Sequence, residues 1–274
     1  MKAKLAATAL AVLAAVIWAY PTPGDYRADN PWWNGYSKLI KALNATPIHS
    51  LSEVEEPPEA TALILIPYKP LSQQELAGLS EYIRRGGLLL LMDDYGYGNQ
   101  VLTSLKARAQ LSQAPLLDPL FNYKNKRLPK AKAKWNLELY LNHPTAIIGE
   151  VKEVIAETSS FSYLDLNLNE AYDSEPQGPH TIAAIVETEA GDIAVIADPS
   201  IAINSMLDMG GNMQLLKQAT GAGERRVYLD QAHLPSEPLD LGKQALRAAH
   251  KALSRPLPAL LLAVAAIALA ARGE

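Results

Sequence analysis

The sequence predicts an α/β domain on a doubly wound, mostly parallel sheet in three layers, with a transmembrane helix at each end. Two apolar runs, residues 62–67 (ALILIP) and 88–92 (LLLLM), have the length of buried strands, and an amphipathic helix pattern separates them. A strand, a helix and a strand form a βαβ unit, which requires parallel strands. Uncharged segments at both ends predict the flanking helices.

Composition narrows the function classes. The chain has 274 residues with 25 Lys and Arg against 29 Asp and Glu, so its net charge of −4 gives no electrostatic reason to bind nucleic acid. It contains no cysteine, which excludes disulfides, thiolate metal sites and a cysteine nucleophile. Nothing in the composition implies a cofactor.

The uncharged segments at the two ends predict the domain boundaries. Residues 1–20 are expected to form a transmembrane anchor or signal segment, 21–255 an extracytoplasmic α/β domain, and 256–272 a transmembrane helix. Both apolar segments are slightly shorter than the roughly 20 residues that span a bilayer. Lys2, Lys4 and Arg272 flank them, so the positive-inside tendency places both tips in the cytoplasm and the domain outside the cell membrane.

Each end also has an alternative interpretation. A basic start before a short apolar core is typical of a cleaved signal peptide, but Ile17 and Trp18 before Ala19 make a poor cleavage site and favour an anchor. The C-terminal segment is alternatively a buried Ala/Leu helix of the core. Pro256 and Pro258 at its start favour the membrane interpretation.

The remaining elements follow from periodicity and turn residues. A helix is expected at residues 35–43 with Asn34 as its cap, and a second helix places Leu76, Leu79, Tyr82 and Ile83 on one face and ends at Gly86-Gly87. The other expected elements are a strand at 47–51, a β-rich excursion at about 116–180, a hairpin of 181–187 with 192–197, a helix at 211–220, a strand at 226–229 and a helix at 241–253.

Polar residues follow several predicted core strands directly. Ligands of open α/β sheets bind at the carboxyl ends of the strands. The candidate binding rim comprises Asp93, Asp94, Asn99, Asp198, Asn204, Asn212, Asp230 and His233. If the acidic members converge, they supply oxygen ligands for a divalent cation or a polar recognition surface. The simpler alternative is that each caps its own helix or closes an Asx-turn, and the sequence favours that alternative.

Other motifs are weak. Ser200 lacks a G-x-S-x-G elbow, which argues against a serine hydrolase. Gly96 and Gly98 lack the third glycine and the Lys-Ser/Thr of nucleotide loops. The basic stretch 124–134 is typical of a solvated loop, and the alternatives are contact with anionic lipid or with an acidic partner.

Several blocks together resemble a known family. They read DNPWWNGYSKL, GGLLLLMDDYGYGNQVL, FNYKNKRLP, IADPSIAINSML with GGNMQLL, and VYLDQAHLP. This set resembles the membrane-anchored proteins of the domain of unknown function 4350, especially archaeal ones. The resemblance implies a class I glutamine-amidotransferase-like or flavodoxin-like fold, similar to non-catalytic extracytoplasmic subunits of gliding-motility transporters. Family members often carry Asp-Glu-x-His after the last strand, whereas this chain has Gln231 at the second position.

The expected function follows from these features. We expect a membrane-anchored, non-enzymatic, extracytoplasmic binding or scaffolding domain without a cofactor. Its expected partners are the membrane and another envelope or membrane protein, with no nucleic acid. The alternative is a metal-dependent hydrolase that uses the acidic rim. The identity of any metal is left open.

Overall fold

The computed structural model describes residues 2–235 and 237–253. Its α-helices are α1 (Lys2–Ala19), α2 (Ser37–Leu43), α3 (Gln73–Arg84), α4 (Gly98–Ser104), α5 (Asn212–Thr220) and α6 (Pro238–Leu253). Its strands are β1 (Thr46–Ile48), β2 (Thr61–Leu65), β3 (Leu88–Met92), β4 (Ala109–Leu111), β5 (Leu116–Leu117), β6 (Asn122–Tyr123), β7 (Asn125–Ala133), β8 (Leu137–Tyr140), β9 (Ile147–Gly149), β10 (Glu153–Thr158), β11 (Tyr163–Leu164), β12 (Thr181–Thr188), β13 (Gly191–Ile196) and β14 (Arg226–Asp230). Short 3-10 helices cover Leu51–Glu53, Pro58–Ala60, Lys134–Asn136 and Pro199–Ala202.

One mixed sheet dominates the structure. Within the described residues it has 12 strands, with the main order β1-β14-β2-β3-β13-β12-β10-β7-β6. The pairings from β1 to β13 are parallel, and every pairing beyond β13 is antiparallel. A separate two-stranded ribbon joins β11 to β5. The sheet therefore has a parallel half and an antiparallel half.

The predicted doubly wound, mostly parallel fold of the amidotransferase-like or flavodoxin-like type is wrong. The β-rich excursion was expected to stand beside a parallel core, but its strands extend the core sheet. β12 forms a hairpin with β13, and β10 and β7 pair beyond it in antiparallel order. Excursion strands carry exposed backbone groups that pair most readily with an open sheet edge, so they turn a parallel sheet into a mixed one.

Side chains along the parallel strands point alternately to the two faces of the sheet, so the hydrophobic core consists of one cluster on each face. Ile64 and Leu90 belong to the cluster that includes residues of α2 and α5, whereas Leu63 and Leu89 belong to the cluster that includes residues of α3 and α4. Successive side chains of a strand point to opposite faces, so a strand covered by helices on both sides must be apolar throughout. All five residues of β2 are buried.

Most of the expected elements are present, with shifted ends. The four apolar residues predicted on one face of α3 are buried, and Ser72 with Glu75 forms a capping box at its start. The predicted cap of α2 is wrong. Asn34 donates to Asp25, and the free N–H of Lys38 in the first turn donates instead to Asn204 Oδ1 at 2.8 Å.

The chain divides into two units. One is Pro23–Pro235, and the other consists of the described residues of Met1–Thr22 and Ser236–Glu274. Within the second unit α1 packs against α6, and Lys243 Nζ donates to Thr22 Oγ1 at 3.1 Å. The sequence predicts the last helix within the α/β domain of residues 21–255, and the division groups that helix with α1.

The predicted flanking transmembrane helices are not supported. No helix among the described residues is both long enough and apolar enough to cross a bilayer. α1 has 18 residues and begins with Lys2 and Lys4, so its uncharged part is shorter than the roughly 20 residues a span requires. The predicted segment at 256–272 lies outside the described residues.

Candidate functional site at the carboxyl ends of the parallel strands

The sheet order brings three polar chain segments to one edge. β2, β3 and β13 are neighbours and parallel, so the residues that follow them emerge side by side. Tyr68 follows β2, Asp94 follows β3, and Asp198 follows β13. Asp198 is fully buried and Asp94 is nearly so.

Two tyrosine hydroxyls lie between these two carboxylates in a chain of hydrogen bonds that ends at Ser200. Tyr68 Oη donates to Asp94 Oδ1 at 2.5 Å, and Tyr26 Oη lies 3.3 Å from both Tyr68 Oη and Ser200 Oγ. The Tyr26 and Tyr68 rings stack with centroids 5.4 Å apart. We call Tyr26, Tyr68, Asp94, Asp198 and Ser200 the tyrosine–aspartate cluster. The Tyr68 phenol satisfies an oxygen of Asp94 away from water, so these side chains form a polar network inside the rim.

Burial dominates the electrostatics of this cluster. Burial raises the pKa of Asp198 well above its usual range, and the nearby charge of Asp94 raises it further. Burial also raises the pKa of Asp94, although the hydrogen bond from Tyr68 opposes that change. The pKa of Tyr26 is raised by burial and then by the charge of Asp94. The hydrogen bonds through Tyr68, Tyr26 and Ser200 link Asp94 to Asp198.

The oxygens of Asp198 are engaged by backbone groups. Ser200 N–H donates to Oδ1 at 2.8 Å, as expected for the residue that caps the 3-10 helix Pro199–Ala202, and Asn142 N–H donates to Oδ2 at 2.7 Å. Asp198 thus joins its own helix to the excursion. The capping alternative is the geometry observed at this position.

Asp93 organises the turn that leads to α4. Its Oδ1 accepts from Gly96 N–H at 2.8 Å and its Oδ2 from Gly98 N–H at 2.6 Å. A Cβ atom on Gly98 would lie 2.5 Å from Asp93 Oδ2, so the close approach requires glycine. Burial raises the pKa of Asp93 to about 6, despite the two N–H donors.

The three predicted asparagines bind backbone groups at three separate positions. Asn99, in the first turn of α4, exchanges hydrogen bonds with the backbone of Leu111. Asn204 donates to the carbonyls of Asn30 and Trp32. Asn212 pairs with the N–H and carbonyl of Tyr140. Each side-chain amide forms hydrogen bonds with backbone N–H or C=O groups from another part of the chain.

Asp230 and His233 lie at a second location, beside α3. Asp230 Oδ2 is 3.0 Å from His233 Nδ1, and His233 Nε2 is 3.4 Å from Glu75 Oε1. Burial alone would lower the pKa of His233, but the hydrogen bond and charge of Asp230 and the charge of Glu75 together raise it. These residues line a cavity of about 430 Å³ whose other walls include Leu63 and Leu79.

The rim is therefore divided. Asp94 and Asp198 meet in the tyrosine–aspartate cluster, whereas β2 separates β14 from β3, so Asp230 and His233 lie apart from it. In the part of the chain that the structure describes, no group of three or more His, Cys, Asp or Glu side chains is arranged to hold a metal ion.

Sequence reasoning missed the tyrosines of the cluster and Glu75. Tyr68 comes three residues after β2, so the rule that selected Asp94 and Asp198 could have found it. Glu75 was visible only as a residue of the α3 capping box. Tyr26 comes from a loop far from any strand, and no local pattern marks it.

A family model titled "Domain of unknown function (DUF4350)" matches residues 28–220, which is more than half of the chain. The chain belongs to the DUF4350 family. The search among curated proteins found no match. A solved structure titled "mmIFT52 N-terminal domain" is similar at 14% identity and a TM-score of 0.43, covering 56% of this chain and 73% of that one.

The DUF4350 match covers only part of the candidate rim. Asp94 and Asp198 lie inside residues 28–220, whereas Asp230 and His233 lie beyond them. The family assignment therefore includes the two acidic residues of the tyrosine–aspartate cluster and does not reach the histidine location.

Asn204 should contribute to stability. Replacing Asn204 with Ala in this DUF4350 protein removes its hydrogen bonds to the carbonyls of Asn30 and Trp32 and to the N–H of Lys38. We expect the free energy of unfolding in urea to fall by about 2–4 kcal/mol. The exposed neighbouring variant Ser205→Ala should change it by less than about 0.5 kcal/mol. Equal effects of the two variants would contradict this role.

Asp93 should make stability depend on pH. Its folded pKa of about 6 lies above the ordinary value of 3.8, so the folded state holds the proton more tightly and stability falls as pH rises from about 4 to above 6. In Asp93→Asn this fall should shrink by an amount on the order of 3 kcal/mol or less. Urea unfolding across pH measures it, and the exposed variant Asp208→Asn should keep the wild-type profile.

Asp230 should set the protonation of His233. Because the hydrogen bond and charge of Asp230 raise the pKa of His233, Asp230→Asn should lower its titration midpoint in an NMR pH series. A raised folded pKa stabilises the fold below the ordinary value and loses that contribution as pH rises through the folded value. Glu81→Gln, on the exposed side of α3, is the matched control. An unchanged His233 midpoint in Asp230→Asn would refute the coupling.

Proposed function

We propose that the chain is a non-catalytic binding module whose partner is another protein. One observation carries the proposal. The chain has two phenylalanines, and both lie on the surface in contact with each other. Phe121 is 52% exposed and Phe161 is 46% exposed, with ring centroids 6.0 Å apart. Exposed aromatic residues that form a patch are typical of protein-binding surfaces.

The Phe121–Phe161 pair is held in place by a buried carboxylate. Asp118 Oδ1 accepts from the N–H of Leu120 at 2.9 Å and of Phe121 at 2.7 Å, while its Oδ2 accepts from Ser159 Oγ at 2.5 Å. The same Ser159 Oγ accepts from Phe161 N–H at 3.1 Å. Asp118 thus connects the two loops. A surface ordered before binding loses less conformational entropy when a partner arrives.

The surroundings of the pair indicate the chemistry of the partner. Phe121 carbonyl accepts from Lys130 N–H, which places it beside the basic strand β7. Lys124, in the turn between β6 and β7, has its Nζ 4.8 Å from the Tyr123 ring. Most cations of β7 are already paired with carboxylates of the same chain, so the exposed rings are the feature that a partner would recognise. The proposed partner is therefore a protein with an apolar face.

The state of the rim supports the non-catalytic part of the proposal. Asp93 and Asp198 each use both oxygens to accept backbone N–H groups, so neither carboxylate is disposed toward a substrate. The metal-dependent hydrolase alternative has no specific observation in its favour among the described residues. The extracytoplasmic location and the envelope partner stay predictions, and reporter fusions to the domain would test the location.

Loss of the aromatic pair should weaken binding without unfolding the domain. We expect Phe121→Ser combined with Phe161→Ser to leave the midpoint of thermal unfolding nearly unchanged, because both rings are largely exposed. A photocrosslinking amino acid at position 121 or 161, in source cells, should join the chain to one and the same protein. The affinity of that protein for the Ser variant should fall at least about tenfold.

The controls separate the pair from other exposed positions. A crosslinker at Glu189, on the exposed end of the β12–β13 hairpin, should not capture that protein, and Trp33→Ala should bind it normally. Different proteins from positions 121 and 161, or no adduct at either, would refute the surface. An adduct between two copies of the chain would replace the separate partner with self-association.

A further inference from the structure

A cavity of about 430 Å³ lies beside α3. Its apolar walls include Leu63 of β2 and Leu79 of α3, which belong to the same hydrophobic cluster. Glu75, Asp230 and His233 line the cavity as well. Apolar walls that carry a few polar groups are typical of small-molecule sites. We call this space the α3 cavity.

His233 lies between two carboxylates of the α3 cavity. Asp230 Oδ2 is 3.0 Å from His233 Nδ1 and also accepts from His233 N–H at 3.0 Å. On the other side of the ring, His233 Nε2 is 3.4 Å from Glu75 Oε1. Among the described residues, neither carboxylate forms an ion pair with a lysine or an arginine. One imidazole, which carries at most one positive charge, therefore faces two negative charges.

The second oxygen of Asp230 is an unused acceptor at the cavity wall. Asp230 is 6% exposed, and among the described residues the hydrogen bonds to its carboxylate all end on Oδ2. Glu75 differs, because its Oε2 accepts from both the N–H and the Oγ of Ser72. A carboxylate oxygen held away from water without a donor costs free energy. A ligand that donates to Asp230 Oδ1 removes that cost.

We propose that the α3 cavity binds a small primary amine, whose ammonium group pairs with Asp230 Oδ1 while its short hydrocarbon chain packs on Leu63 and Leu79. An ammonium group donates three hydrogen bonds and supplies the positive charge that this wall lacks. An anionic ligand would add a third negative charge. No aromatic ring among the described residues lines the cavity, and aromatic cages are the usual sites of quaternary ammonium groups. The site shares no residue with the Phe121–Phe161 pair and goes beyond the proposed function.

Protonation of His233 opposes binding of the amine. Burial lowers the pKa of His233, but Asp230 of β14 and Glu75 of α3 together raise it above its ordinary value. Glu53, in the neighbouring 3-10 helix, directs its carboxylate to the N–H of His49. Above the folded pKa the imidazole is neutral and both cavity carboxylates are uncompensated, while an aliphatic amine stays protonated up to about pH 10. The affinity for the amine therefore rises as pH increases through the folded pKa of His233.

Gly78 offers a way to fill the cavity without disturbing the helix. It lines the cavity from α3, and a Cβ atom there would meet only Leu51 Cδ1, at an ordinary contact distance of 3.6 Å. Glycine is also a poor helix former compared with residues that have an unbranched side chain. We therefore expect Gly78→Met to occupy the cavity and to leave α3 folded.

Titration of the full chain with n-butylammonium chloride, followed through the NMR signals of the His233 ring, tests the site. We expect one saturable site with a Kd of about 1 mM or lower at about pH 8 and weaker binding at about pH 5. Methylammonium, which lacks the hydrocarbon chain, and 1-butanol, which lacks the charge, should each bind at least about tenfold more weakly. The bound amine should also lower the titration midpoint of His233, because the two equilibria are linked. Absence of a saturable shift up to about 50 mM, or equal binding of 1-butanol, would overturn the proposal.

Variants of the cavity locate the amine. Asp230→Asn and Gly78→Met should each weaken n-butylammonium binding at least about tenfold, and Glu75→Gln, which retains the capping box, at least about threefold. Glu81→Gln, which changes an exposed carboxylate of the same helix, should bind like the wild type. Circular dichroism establishes that each variant is folded, and Gly78→Met decides the matter if Asp230→Asn is not. Wild-type affinity in the folded variants of Asp230 and Gly78 would place the amine elsewhere and refute the site.

The amine site and the protein-binding surface are tested separately. Phe121→Ser combined with Phe161→Ser should bind n-butylammonium like the wild type, and Gly78→Met should bind the protein partner normally. Loss of amine binding in the folded phenylalanine variant would refute the α3 cavity as the site, whatever the result for the protein partner.

Discussion

The parallel pairing of β3 with β13 is the constraint on which the rest of the domain depends. It sets the carboxyl ends of two buried strands side by side, so Asp94 and Asp198 emerge into the same apolar edge. Two carboxylates near each other in a poorly solvated place are unfavourable unless donors surround them. The hydroxyl of Tyr68 and the N–H groups of Ser200 and Asn142 provide those donors.

The need of these carboxylates for hydrogen-bond donors explains why the polar residues of the rim stabilise the fold. The loop that carries Tyr26 is bound to the sheet by its stacking on Tyr68, and the excursion is bound by the hydrogen bond from Asn142 to Asp198. The polar residues of the rim hold distant chain segments together. The exposed Phe121–Phe161 pair, which we propose as a binding surface, lies instead on the loops that precede β6 and β11.

The sequence predicted what depends on local pattern. Uniformly apolar runs identified β2 and β3, and the helical spacing that includes Leu76 and Leu79 identified α3, because burial imposes those patterns on any fold. Prediction from the sequence was wrong where the interacting residues are distant in the chain. The first turn of α2 is capped from Asn204, and no local signal announces a cap supplied 166 residues later. The fold class was wrong for the same reason, since strand order is a tertiary property.

The short ribbon of β5 and β11 joins the two loops that carry the aromatic pair. Phe161 precedes β11, while Asp118 and Phe121 follow β5, the strand that pairs with β11. Asp165 N–H donates to the Pro115 carbonyl at 2.8 Å, so the residue after β11 is hydrogen-bonded to the segment that leads into β5. Asp118 adds hydrogen bonds to Phe121 N–H and to Ser159 Oγ. Because this ribbon has only two residues on each strand, it depends on those side-chain hydrogen bonds to hold together two loops that are distant in the chain.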